Sequence, residues 1–134
     1  MYRSLFAIEQ DGVDVTIRDL QATSGVSALF GGAIDMDSVG GVLRLDGVVI
    51  ANNSSGYGGG INAADGTVVV VDTVIRGNAA TTTGGGIWLG PTVTLTMVNT
   101  LLTGNTGLVG ALRNAAGVVS LTNTTVVDNT ATSG

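Results

Sequence analysis

Asp35 and Asp37 lie two residues apart directly after Ile34, and Arg44 follows them. Alternation along an extended chain puts both carboxylates on one face. Two carboxyls about 5 to 9.5 Å apart are what hydrolysis of a glycosidic bond requires, one to protonate the leaving oxygen and one to attack or to activate water. A polysaccharide lyase would instead need a metal cluster or a strong base. Asp35, Asp37 and Arg44 are therefore the candidate catalytic set, and solvated loop charges are the alternative reading of the same residues. Asp46 stands beside Arg44, but the equivalent places of the following repeats hold Val71 and Val98, which add no second acid.

The rest of the chain narrows the chemistry. There is no cysteine and no histidine, which removes disulfides, thiolate nucleophiles, and the commonest general base and zinc ligand. The net charge is −5 and all five cations are arginine, a balance that argues against nucleic acid and anionic membrane surfaces. No stretch approaches the ~18 apolar residues of a membrane span, and the start MYRSLFAIEQDG lacks the apolar core of a signal peptide. Membrane insertion by this segment is not expected, and an export signal or anchor would lie outside it. No segment reads GxGxxG or GxxxxGK[ST], so the glycines do not spell a phosphate loop. The nine-residue GGxGxD calcium repeat is absent as well. No cofactor or metal is expected.

The elements that position these residues are written as a repeat, the first signal to seek in a chain of this kind. Glycine-bearing openings recur at Gly31-Gly32-Ala33-Ile34, Gly58-Gly59-Gly60-Ile61, Gly84-Gly85-Gly86-Ile87 and Val109-Gly110-Ala111-Leu112. The apolar residue that follows gives the series Ile8, Ile34, Ile61, Ile87 and Leu112, spaced by 26, 27, 26 and 25 residues. An alternating strand comes next, then a turn-former at Asp19, Gly47, Asp72, Asn99 and Asn123, then a second strand with inward pairs such as Leu20 and Ala22, Thr73 and Ile75, and Thr124 and Val126. Asn53, Asn78, Asn105 and Asn129 close the units.

A unit of this length cannot bury its apolar face alone, so units must stack, like residue over like. The asparagines are then expected to form a bonded ladder; calcium or sugar binding is the alternative role. No window shows the 3.6-residue period of an amphipathic helix. The expected fold is all-β, a right-handed parallel β-helix of about five coils with three short parallel sheets and no helices of note. It forms a single domain over residues 1–134, with coils at about 5–30, 31–57, 58–83, 84–108 and 109–134. Handedness rests on the preference for right-handed parallel crossovers.

Gly31-Gly32-Ala33-Ile34 reads GGAI, while Ile50-Ala51-Asn52-Asn53, Ile75-Arg76-Gly77-Asn78 and Leu102-Thr103-Gly104-Asn105 read apolar-x-x-Asn. Paired GGA[ILV] and FxxN motifs are carried by the polymorphic outer membrane protein type of bacterial β-helix, and coils two to five resemble it, with Ile or Leu in the place of Phe. The resemblance implies a secreted or surface-displayed passenger of an autotransporter-like protein with an adhesive role. The function expected on this basis is a non-catalytic structural or binding module, extracellular or at the cell surface. A polysaccharide-acting β-helix is the alternative, and an ice-binding solenoid follows, its Thr16, Thr96 and Ser120 rank being broken by Arg44 and Val69. Partners expected are a host-surface protein or glycan, further coils or a second copy at the exposed ends, and no nucleic acid. Val49, Val69, Val71, Val74, Val98 and Leu101 form the expected apolar partner surface. The chain is also expected to be a piece of a longer solenoid that associates end to end.

Overall fold

The computed structural model describes residues 3–133. The chain is a parallel β-solenoid of about five turns with no helix among the described residues. Along each coil the strands fall on successive sheets. The first sheet contains Phe6–Ile8, Ile34–Met36, Ile61–Ala63, Ile87–Leu89 and Leu112–Asn114. The second holds the longer strands Asp14–Arg18, Val42–Asp46, Thr67–Val71, Thr94–Val98 and Val118–Thr122. The third contains Gln21–Thr23, Val49–Ala51, Val74–Arg76, Leu101–Thr103 and Thr125–Val127. Every strand pairs in parallel with its counterpart in the adjacent coil, as Val74, Ile75 and Arg76 do with Leu101, Leu102 and Thr103.

Two features depart from the sequence reading. In coil one, Phe6 pairs with Ile34 and Ile8 with Met36, so Phe6 and not Ile8 belongs to the Ile34 series. Coil one has no glycine cluster ahead of its first strand, and an apolar residue alone does not mark the register. There are also four sheets where three were expected. Ser54–Ser55, Ala79–Ala80, Thr106–Gly107 and Thr130–Ala131 form a further four-stranded ladder after the asparagine column. Strands of two small residues carry no period-two signal that a sequence could display.

The core follows from alternation. Leu43 and Leu45, Val68 and Val70, and Leu95 and Met97 point inward and are fully buried, as are Ile34, Ile61 and Ile87 on the first sheet. Stacked aliphatic ranks suit this geometry, because coils about 4.8 Å apart bring like side chains into contact. Coverage fails at the outer coils: Leu20 is 37% exposed, Leu121 50% and Val126 52%. These residues belong to inward columns, but a neighbouring coil covers them from one side only.

The corners are set by backbone conformation. Asp19, Gly47, Asp72, Asn99 and Asn123 all have positive φ, between 48° and 65°, the region that Gly, Asn and Asp tolerate best. A second left-handed column, Ser24, Asn52, Gly77, Gly104 and Asp128, stands before the closing position of each coil. At the glycine corner the demand is spatial. A Cβ on Gly32 would strike the carbonyl of Gly59, and one on Gly59 that of Gly85, so consecutive coils approach there more closely than any other residue allows.

The closing asparagines are bonded along the stack. Asn78 Oδ1 accepts from the Asn53 main-chain N–H at 3.1 Å and from Asn53 Nδ2 at 2.9 Å. Asn105 Oδ1 accepts the same two bonds from Asn78, at 3.1 and 3.0 Å, and Asn129 Oδ1 accepts both from Asn105 at 2.9 Å. Each amide's second donor goes to the carbonyl of the inward aliphatic residue one coil back: Asn78 to Ile50 at 3.0 Å and Asn105 to Ile75 at 2.9 Å. Asn53, Asn78 and Asn105 are buried, so a missing partner here would cost about 1 to 3 kcal/mol for each group left unpaired.

Replacing Asn78 by Ala leaves two donors of Asn53 and the Ile50 carbonyl without their partner. Asn129→Ala strands the equivalent groups of Asn105, but at an outer coil that water reaches. Denaturant unfolding should therefore show a larger loss for Asn78→Ala. Equal losses would mean that the amides act singly and not as a column.

Candidate functional site

On the first sheet the middle residue of each three-residue strand faces out. Register places Ala7, Asp35, Asn62, Trp88 and Arg113 in one rank across the five coils. Asp37 and Ala64 continue the stack just beyond the strands, donating main-chain N–H groups to the carbonyls of Ile8 and Met36 at 2.8 Å. On the other side of the rank, Phe30 and Tyr57 stand at the glycine corner, joined by a parallel bridge. The ring centroids of Phe30 and Tyr57 are 5.5 Å apart, and Tyr57 meets Trp88 edge to face at 6.0 Å. The result is a cleft of about 220 Å³ lined by Phe30, Asp35, Asp37, Asn62, Ala64 and Trp88. A neighbouring groove, lined by Arg3, Ser4, Glu9 and Asp35 among others, continues toward coil one.

Asp35 is the electrostatic centre of the cleft. Burial pushes its carboxyl above the ordinary carboxylate range; a hydrogen bond from Asn62 pulls it down, and the charges of Asp37 and Glu9 raise it further. Asn62 Nδ2 donates to Asp35 Oδ1 at 2.8 Å. A carboxylate can only accept, so the amide is held with its nitrogen toward Asp35 and its carbonyl turned away. Asn62 is 2% exposed, and its Oδ1 has no donor among the described residues. Buried polar atoms are nearly always paired, so this oxygen is the one unsatisfied buried side-chain atom among the residues lining the cleft.

Arg44 is not part of this constellation. Gly40, at φ 71°, and Gly41 turn the chain between the strands Ile34–Met36 and Val42–Asp46, which carries Arg44 to the second sheet. There it lies 3.9 Å from Asp46, which also faces Arg18 at 3.8 Å. Both contacts are partly exposed, and such surface pairs stabilise by 1 kcal/mol or less, roughly. The structure thus brings Asp35 and Asp37 to one cleft and leaves the expected arginine on another face.

The apolar stripe is resolved into two ranks, Val71 and Val98 on the second sheet and Val49, Val74 and Leu101 on the third, with Val69 between Arg44 and Thr96. All six side chains are half-buried, because stacked neighbours shield one another. An open groove lies along the turn beside them, edged by Asp72, Asn99 and Asn123. Asn99 Nδ2 donates to Asp72 Oδ1 at 3.0 Å there.

Phe30, Tyr57, Asn62 and Trp88 were not singled out by sequence reasoning. A signal existed: the chain has two Phe, two Tyr and one Trp, and three of these five rings stand directly beside a repeat marker, Phe30 before Gly31, Tyr57 before Gly58 and Trp88 after Ile87. Among the described residues no group of three or more acidic, histidine or cysteine side chains is placed to hold a metal ion.

The raised pKa of Asp35 makes stability depend on pH in a defined direction. The folded state holds the proton more tightly than the unfolded chain, so stability contributed at this position is fully present below the ordinary carboxylate pKa and is lost as pH rises through the folded value. Asp35→Asn keeps an acceptor for Asn62 and removes the charge. The variant should be as stable as the parent or more so at neutral pH, with the difference fading below about pH 4. Thermal unfolding at both pH values checks this, and a variant destabilised equally at the two would contradict it. No protein-family model matches this chain, and neither a curated protein nor a solved structure does.

Proposed function

We propose that this chain is a non-catalytic binding module of a secreted or surface-displayed bacterial protein, adhesin-like in the manner of an autotransporter passenger. The cleft on the first sheet carries the reading. Rings, carboxylates and an amide from four coils converge there on a scaffold whose strands are fixed by pairing with their neighbours, and a few convergent polar groups in a largely apolar concavity are the usual make-up of a recognition site. The surface location is supported by the GGAI motif at residues 31–34, which the later coils carry as GGGI or VGAL, and by the repeated apolar-x-x-Asn motifs; together they resemble those of the polymorphic outer membrane protein type. On this reading the partner is a host-surface protein or a glycan, and the module needs no cofactor.

One observation favours a second reading, a polysaccharide-acting enzyme. A carboxyl with a raised pKa next to another carboxyl, as Asp35 is next to Asp37, is how a glycosidase keeps an acid protonated beside an ionised partner. Against it, Arg44 lies on a different sheet, and the cleft is small for a polymer.

The purified chain should be screened against glycans and host-cell surfaces, with a reducing-sugar release assay on the same polysaccharides. Retention without sugar release, weakened at least tenfold by Asp35→Asn, is the expected result. Release of sugar that Asp35→Asn abolishes would overturn the binding-module reading in favour of the hydrolase.

A further inference from the structure

We propose that the cleft on the first sheet receives the guanidinium of an arginine side chain from a polypeptide partner, stacked against Trp88 and paired with Asp35 and Asp37. The inference rests on the binding-module reading and specifies the chemistry of its site.

Three observations point to a cation with several N–H donors. First, the polar groups facing the cleft are short of donors. As carboxylates Asp35 and Asp37 only accept, and Asn62 has already committed an N–H to Asp35. A guest that brings donors completes this set, and a guest that brings only acceptors cannot. Second, the negative charge is concentrated. Asp35 experiences the charges of both Asp37 and Glu9, and burial holds its carboxyl in the neutral direction; a cation in the cleft would relieve all three. Arg3 lines the groove next to Glu9 and Asp35, at the coil-one end and outside the cleft that Trp88 lines. Third, the walls are aromatic. Trp88 and Phe30 line the cleft, and Tyr57 bridges them. Ring faces attract cations, and the planar, weakly hydrated guanidinium stacks on them while pairing with a carboxylate through two parallel N–H bonds.

Size selects the guest further. About 220 Å³ is below the range of roughly 300 to 1,000 Å³ typical of small-molecule pockets, and it suits one side chain. A lysine ammonium would satisfy the charge, but it is a point donor that cannot pair in parallel with a carboxylate while lying flat on a ring. A neutral sugar would supply hydroxyl donors and leave the repulsion between Asp35 and Asp37 unrelieved.

Trp88 is the single tryptophan, so intrinsic fluorescence reports directly on the cleft. The folded chain should be titrated at neutral pH with N-acetyl-arginine amide, and in parallel with N-acetyl-citrulline amide, N-acetyl-lysine amide, glucose and glucosamine. The arginine probe should change Trp88 emission saturably. The isosteric but uncharged citrulline probe should bind at least tenfold more weakly, and so should glucose. Asp35→Asn and Asp37→Asn should each lower arginine affinity at least fivefold with emission otherwise that of the folded chain, and calorimetry should show the same loss for Trp88→Leu. Equal binding of arginine and citrulline probes, or tighter binding of either sugar, would overturn the proposal. The comparison of probes on the unsubstituted chain decides this even where a variant folds poorly. If surface binding is weakened by Asp35→Asn while the arginine probe binds no better than the citrulline probe, the binding-module reading stands and the arginine cleft falls.

Discussion

A coil of this solenoid cannot satisfy its own backbone. In the inner coils the strand N–H and C=O groups find their partners one coil away on either side, so each position there must suit the residue directly above and below it before it suits anything else. The asparagine column is the most demanding instance. Asn53, Asn78 and Asn105 are buried, Asn78 and Asn105 each accept two bonds from the coil before, and all three return a donor to the carbonyl of an inward aliphatic residue. A shift of register by one residue would leave these groups unpaired in the interior and would turn the aliphatic ranks outward.

That constraint explains why variation is concentrated on the outer faces. Inward positions are repeated aliphatics, and corners are glycine or residues that accept left-handed backbone. The outward middle position of the first sheet is bound by neither rule and runs Ala7, Asp35, Asn62, Trp88, Arg113. Chemistry gathers where the scaffold leaves the side chain unassigned. The cleft therefore depends on the stack in a specific way: Asp35, Asn62 and Trp88 come from three coils, and only correct register makes them neighbours.

Much of the scaffold could be read from residue types alone. The positive-φ column Asp19, Gly47, Asp72, Asn99 and Asn123 is visible because few residues accept that conformation, and the inward ranks are visible because alternation is local. The parallel column Ser24, Asn52, Gly77, Gly104 and Asp128 was missed, since its residue types vary and adjoin the more regular asparagines. Coil one was misaligned because Ile8 imitates the marker that Phe6 occupies. The site was half legible. Asp35 and Asp37 announce themselves by spacing. Their companions do not, because Phe30 and Tyr57 belong to a corner and Trp88 to a strand, and nothing local to any of them indicates that the three rings meet. Arg44 was drawn in by proximity along the chain, which a glycine corner makes irrelevant.

The central claim is that the asparagine column holds the coils in the register that builds the cleft. Amide hydrogen exchange tests it most directly, because the main-chain N–H groups of Asn53, Asn78 and Asn105 are bonded to side chains of the next coil and not to any strand carbonyl. The account predicts that these three amides are protected as strongly as those of the buried strand residues Leu45, Val70 and Leu95, opening only with global unfolding. Exchange of the Asn78 amide at the rate of the exposed loop residue Ala116, with the strands still protected, would contradict it.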